Sequence, residues 1–252
     1  MGQDKAVSDV LAGLAGITAR LSAPTAGGSA APVTAGTYAA AAIPARYVLE
    51  RGEWGEAAAL KPDDSAQPNA VAVTHFARAI GAARAGHPES TAAEISRLTA
   101  LRDELTARKD AYWAGQVDIQ RQMAAAWAAW ADGLKDEALQ LAEAGAEAED
   151  ATEKAAISPG PLAPARELLA EMLLEAGRTA DARRAFEAVL KKEPRRLRSE
   201  FGAGLAAERS GDLEGAGVHY RTLLEICEPA DKPGRQSLQH ARSFMEKRSA
   251  SR

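Results

Sequence analysis

The 252-residue chain is poor in cysteine, in aromatic residues and in excess charge, and each shortage excludes a class of protein. A single cysteine, Cys227, rules out an intramolecular disulfide and a cluster of thiolates. Aromatic residues make up only 5% of the chain, and valine and isoleucine are sparse, which excludes an all-β fold. The net charge of −4 removes the general electrostatic case for binding nucleic acid. No apolar run approaches the roughly 18 residues of a membrane span.

Alanine dominates what is present, at roughly a quarter of the chain, followed by leucine, glutamate and arginine. These residues all favour helix over strand. Hydrophobic residues make up 46% of the chain and charged residues 26%, which is ordinary for a folded protein and excludes wholesale disorder. The composition therefore predicts an all-α fold.

Glycines recur at a fixed spacing through this alanine-rich sequence. Gly177 opens the segment GRTADARRAFEAVLKKEP, and Gly211 opens GDLEGAGVHYRTLLEICEP 34 residues later. Gly52 and Gly86 are also separated by 34 residues, and each is again followed by a polar stretch and alanines. Similar half-units begin at Gly2 and Gly133. This recurrence predicts an array of repeated helical hairpins.

The pattern resembles the tetratricopeptide repeat, a helix–turn–helix unit of about 34 residues. The family's characteristic apolar and proline positions are filled in the unit around Gly177 by Leu169, Leu173, Ala182, Phe186 and Pro194. In the following unit they are filled by Gly204, Gly211, Ala216 and Tyr220. The resemblance implies a solenoid, an α-α superhelix of about five to six units, whose concave face holds extended peptides.

The same residues explain physically why the chain would form a repeat. Small side chains such as Ala182 and Ala216 let two helices approach closely, and Phe186 and Tyr220 fill the space between successive units. The turn glycine allows the left-handed backbone that ends a helix. Because one hairpin cannot bury its own apolar stripe, neighbouring hairpins must stack.

Four segments follow from this pattern. Residues 1–21 form an N-terminal helix that matches only the second half of a repeat, which favours the chain being part of a longer protein. Residues 22–37, rich in Gly, Ala, Ser and Pro, form a flexible loop. Residues 38–226 form the repeat array, and residues 227–252 form a capping helix with a polar tail. With no export signal at the start, a cytoplasmic location is the default expectation. A periplasmic location stays open if the chain is a fragment of an exported protein.

No pattern in the sequence carries catalytic chemistry, so we expect neither an enzyme nor a cofactor. The four histidines are scattered without metal-ligand spacing, and no phosphate-binding loop or nucleophile elbow is present. Cys227 lies beside Glu225 and Glu228, which disfavours a reactive thiolate.

The concave face of such an array is built from the first helix of each unit. Counting along those helices gives these candidates for a peptide groove: Phe76, Arg84, Met123, Trp127, Trp130, Glu167, Glu171, Arg198 and Phe201. Trp127 and Trp130 stand out as large rings on an alanine background. They are either anchors for a partner or fillers of space between helices, and both interpretations stay open.

A set of polar residues falls at positions that are usually apolar: Arg46, His75, Arg78, Gln116 and Gln120. Since buried polar groups must be paired, Arg78 is expected to meet Glu167 or Glu171 across the groove. Alternatively, Arg46, His75 and Arg78 present a pocket to an anionic ligand.

The main functional hypothesis is a non-enzymatic scaffold whose groove receives a protein or peptide segment. Replacing both tryptophans by alanine is then expected to weaken capture of the partner without unfolding the array. The alternative is a small-molecule or anion site in the polar cluster around His75, Arg78, Gln116 and Glu167. A third reading makes the chain an accessory part of a larger protein whose activity lies upstream. Neither the partner's identity nor the oligomeric state follows from the sequence.

Overall fold

A computed structural model describes residues 2–21, 33–153 and 160–250, and the regular structure in these ranges is helical. The α-helices are α1 (Asp4–Leu21), α2 (Val33–Arg51), α3 (Trp54–Ala58), α4 (Pro68–Arg84), α5 (Thr91–Ala107), α6 (Ala111–Ala131), α7 (Lys135–Asp150), α8 (Ala165–Glu175), α9 (Thr179–Lys192), α10 (Leu197–Arg209), α11 (Leu213–Ile226) and α12 (Gln236–Ala250). A short 3₁₀ turn, Pro88–Ser90, precedes α5. The all-α class predicted from composition is confirmed.

The chain divides into two compact units. The unit that we call the N-terminal unit is Ser8–Ala165, and the C-terminal unit combines Met1–Val7 with Arg166–Arg252. In the N-terminal unit each helix from α2 to α6 packs against the next helix, and α4 also contacts both α2 and α6. In the C-terminal unit α9, α10, α11 and α12 pack in chain order. This consecutive packing is that of tetratricopeptide-like helical hairpins.

The hairpin turns share one backbone geometry, seen clearly at Gly177. Its φ of +76° lies in the left-handed region, which a residue without Cβ adopts without strain. Arg178 donates its backbone N–H to the carbonyl of Leu173 at 2.9 Å, and Gly177 donates to Leu174 at 3.2 Å. These bonds satisfy the last carbonyls of α8 in the manner of a Schellman motif. The other glycines of the repeat pattern also have positive φ: Gly2, Gly52, Gly86, Gly133 and Gly211.

Close helix contacts in the C-terminal unit depend on small residues opposite rings. Phe186 of α9 and Tyr220 of α11 are buried, and each ring lies against a glycine of α10. A Cβ at Gly202 would lie 2.3 Å from the Phe186 ring, and one at Gly204 would lie 2.6 Å from Tyr220. The expected role of the two rings as fillers between helices is therefore confirmed.

A similar close approach occurs in the N-terminal unit, where α3 crosses α4 at Gly81. A Cβ at this position would lie 2.5 Å from the Ala58 amide nitrogen and 2.6 Å from the Trp54 carbonyl oxygen. The neighbour here is backbone rather than the end of a flexible side chain. Only glycine therefore allows these two helices to sit at this distance.

The last helix, α12, packs against the core of the C-terminal unit. Leu238 and Ala241 of α12 are buried in a core cluster with Tyr220, and Phe244 packs against the same cluster. The first residues of the chain pack in the same unit. Arg235 donates hydrogen bonds to both carboxylate oxygens of Asp4, at 2.6 and 3.0 Å.

The predicted loop over residues 22–37 needs one correction. Residues 22–32 lie outside the described residues, but α2 begins at Val33, so residues 33–37 are helical. The segment VTAGT continues directly into the alanine-rich stretch after it, and alanine is the best helix former. The helix therefore extends one turn further back than the Gly and Pro content of the region indicates.

Candidate functional site

A small cavity of about 20 Å³ lies in the N-terminal unit on the face shared by α2, α4 and α6. Helix α6 contributes a continuous stripe to it, since side chains three and four residues apart lie on one helix face. The stripe consists of Trp113, Gln116, Gln120 and Met123. Tyr38 of α2 and Phe76 of α4 complete the helical walls. Two amides and several apolar side chains thus face one enclosed space, of the size that one water molecule needs.

The remaining wall is a non-helical stretch of the chain, residues 160–164, just before α8. Its Leu162 side chain is buried, at 3% exposure, and Ala163 is buried beside it. Arg46 donates to the carbonyl oxygen of Pro161 at 2.8 Å. At the far end Glu149 accepts a hydrogen bond from the Ala165 backbone N–H at 2.9 Å. We call residues 160–164 the covering segment.

The walls offer hydrogen-bonding groups, and Glu149 adds a carboxylate at the end of the covering segment. The buried Oε1 atom of Gln120 accepts no hydrogen bond from the residues that the structure describes. Burial raises the pKa of Tyr38, and the opposing effect of nearby Arg46 is smaller, so the phenol is neutral near pH 7. The Tyr38 ring lies 5.3 Å from that of Trp113, centroid to centroid. The arrangement can donate or accept a few hydrogen bonds beside apolar side chains.

His75 and Arg78 do not line this cavity. Both side chains bind Glu94 of α5 instead. The Glu94 carboxylate lies 2.6 Å from His75 Nδ1 and accepts a hydrogen bond from Arg78 Nε at 2.7 Å. Burial raises the pKa of Glu94, but the hydrogen bonds from His75 and Arg78 outweigh it, so the pKa is lowered overall. The prediction that Arg78 meets Glu167 or Glu171 is therefore wrong. Its partner is an acid 16 residues further along the chain, on the next helix.

Arg46, grouped with these residues in the sequence, is used elsewhere. It holds the carbonyl of Pro161, so no pocket for an anion is formed by Arg46, His75 and Arg78 in the part of the chain that the structure describes. Gln116 and Gln120 do share a face with Met123, as their spacing predicts, and this face lines the cavity. The spacing thus predicted which α6 side chains share one wall of the cavity.

The two tryptophans of α6 are buried. Trp127 is 2% exposed and Trp130 is 8% exposed, and their rings meet edge to face at 6.3 Å. The Arg84 guanidinium stacks between Trp54 and Trp127, at 4.2 and 4.1 Å from the ring centroids. Lys135 lies over Trp130. These contacts favour the interpretation of both indoles as packing between helices, and Phe76 and Met123 are equally buried.

The remaining groove candidates lie in the C-terminal unit, where they bond to one another. Glu167 is fully buried and accepts hydrogen bonds from Arg196 at 2.7 Å and from Ser199 at 2.6 Å. Glu171 forms an ion pair with Arg198 of α10, and Arg196, directly before α10, bonds to Glu167, so charged contacts join α8 to the start of α10. The Phe201 ring packs 5.8 Å from His240 of α12.

The sequence analysis missed several contributors to the candidate site: Tyr38, Trp113, Ile119, Glu149, Ala165 and the covering segment. Trp113 had a usable signal, because it precedes Gln116 by three residues on the same helix face. The covering segment had none, since its sequence is typical of any loop rich in proline and glycine.

The described ranges contain neither a cluster of metal-binding side chains nor a membrane-spanning helix. No group of three or more His, Cys, Asp or Glu side chains there is arranged to hold a metal ion. In the same ranges, no helix combines the length and hydropathy that crossing a membrane requires.

Comparison with protein families gives a match over one part of the chain. Residues 167–231 match the model of the tetratricopeptide repeat family, and this region covers most of α8 and all of α9, α10 and α11. The chain therefore contains tetratricopeptide repeats in its C-terminal unit. Comparison with curated proteins and with solved structures found no match.

Proposed function

We propose that this protein is a non-enzymatic scaffold that binds a peptide segment of a partner on the face shared by α2, α4 and α6. Tetratricopeptide repeats are in general protein-interaction modules, which supports a protein partner. The observation that carries the location is the cavity lined by Trp113, Gln116 and Gln120. Apolar walls with a few convergent polar groups are typical of a binding site.

The chemistry of this face fits a peptide better than a charged metabolite. The amides of Gln116 and Gln120 can pair with a peptide backbone, and Tyr38 and Trp113 offer ring surface for apolar side chains. The charged groups expected to bind an anion, His75 and Arg78, are already paired with Glu94. No structural observation therefore favours the small-molecule alternative.

The test is selection of peptides from a displayed library on the full chain, followed by fluorescence polarisation with the best peptide. Gln116→Arg places a long charged side chain at the wall of the cavity and is expected to weaken binding by about tenfold or more, or ~1.4 kcal/mol. The matched control is Gln140→Arg, at an exposed position of α7, which should bind as the wild type does. Equal binding by both variants would refute this location.

A further inference from the structure

The covering segment packs against the face shared by α2, α4 and α6, as a bound peptide would. It is non-helical and bends at Leu162 and Ala163, whose side chains are buried, and the Arg46 side chain of α2 holds one of its carbonyl groups. Pro161 and Pro164 fix φ at two of its five positions, which lowers the entropic cost of holding the segment in one conformation. Proline-containing chains are recognised in grooves lined with aromatic rings. Tyr38 and Trp113 provide such rings here.

The fit between the covering segment and this face is incomplete. A cavity of about 20 Å³ remains beneath the segment, and the Gln120 Oε1 atom lining the site has no partner among the described residues. A buried acceptor without a hydrogen bond costs free energy. A ligand that fills the space and donates to Gln120 would gain contacts that the covering segment leaves unmade.

We propose that residues 160–164 act as an intramolecular ligand that closes this face. The partner is an apolar peptide containing leucine and proline, with a hydrogen-bond donor, that displaces the segment. The proposal rests on the function proposed above and specifies the class of ligand and the control of its binding. Because only the open form binds, the apparent affinity for the partner is lowered by the fraction of molecules that are open.

The experiment uses the synthetic peptide Gly-Pro-Leu-Ala-Pro-Ala, the sequence of residues 160–165, carrying a fluorescent label and blocked ends. In the variant Leu162→Ser the covering segment loses its buried anchor, so the open fraction rises. We expect this variant to bind the peptide about tenfold more tightly than the wild type. The matched control is Leu134→Ser, at a leucine that is 53% exposed, which should bind as the wild type does. Equal binding by wild type and Leu162→Ser, or no binding by a folded Leu162→Ser, would overturn the proposal.

A second measurement uses the unmodified chain and is independent of whether the variant folds. Hydrogen exchange is followed at the amides of Leu162, Ala163 and Ala165 with and without saturating peptide. Displacement breaks the bond from the Ala165 N–H to Glu149, so exchange at these amides should rise by about tenfold. Unchanged or slower exchange on peptide binding would overturn the proposal.

The two measurements also distinguish failure of this inference from failure of the proposed peptide-binding function. A library peptide whose binding is weakened by Gln116→Arg, but which leaves exchange at Ala165 unchanged, refutes the intramolecular ligand and keeps the peptide site. Failure of every peptide to bind wild type and Leu162→Ser alike refutes the peptide site itself.

Discussion

Replacing Gly81 by alanine should separate α3 from α4, and the structure gives the size of the effect. The new Cβ would lie 2.5 Å from the Ala58 nitrogen, 2.6 Å from the Trp54 oxygen and 2.7 Å from the Ala57 Cβ, against ordinary contacts of 3.4–4 Å. The helices must therefore move apart by about 1 Å, and overpacking of this kind costs about 1–3 kcal/mol. Since backbone cannot swing aside as a side chain can, we expect the upper end of that range.

Alanine also stabilises a helix relative to glycine by about 1 kcal/mol, which offsets part of the cost. The net expectation for Gly81→Ala is a loss of about 2 kcal/mol in the free energy of unfolding. Gly115 of α6 is the matched control, because a Cβ there would meet nothing within 4 Å. Gly115→Ala should therefore gain about 1 kcal/mol.

Urea denaturation followed by the helical circular dichroism signal measures both variants against the wild type. The two midpoints should move in opposite directions. A Gly81→Ala protein as stable as Gly115→Ala would refute the close contact between α3 and α4.

Three further predictions concern buried polar groups. Glu167→Ala leaves the Arg196 guanidinium without its buried partner and should cost about 3–5 kcal/mol in urea denaturation, whereas Asp181→Ala removes only exposed ion pairs and should cost under ~1 kcal/mol. Gln120→Met removes an unpaired buried acceptor and should raise the thermal midpoint, with a gain of about 1 kcal/mol; a lower midpoint would show that the amide is paired in solution. Because the pKa of Glu94 is lower in the folded chain, its stabilising contribution is complete above about pH 4.3 and is lost as the pH falls through the lowered pKa. Thermal midpoints measured between neutral and acidic pH should therefore fall less steeply in Glu94→Gln than in the wild type, and parallel curves would contradict this assignment.

The sequence allowed prediction of those parts of the fold that depend on local interactions. The turn at Gly177 needs only a residue that tolerates positive φ, and the pairing of Phe186 with small residues follows from the spacing of the repeat. Such features involve neighbouring helices in a known order. They can therefore be derived from spacing alone.

The site was predicted only in part because it depends on contacts between distant segments. The stripe of Gln116 and Gln120 follows from helical periodicity, but the contact of Arg46 with Pro161 joins residues 115 positions apart. The choice of Glu94 rather than Glu167 as the partner of Arg78 depends on which helix packs beside α4. Hydrophobicity patterns do not encode these distances.

The shared turn geometry has a consequence for how repeats diverge. At Gly133, as at Gly177, the hydrogen bonds that close the turn run between backbone atoms, with Leu134 donating to Ala129 and Gly133 to Trp130. Side chains around such a turn can change freely as long as one position stays compatible with a left-handed backbone. A unit can therefore change its other residues and still keep its hairpin, and the turn at Gly133 has this geometry outside the matched residues 167–231.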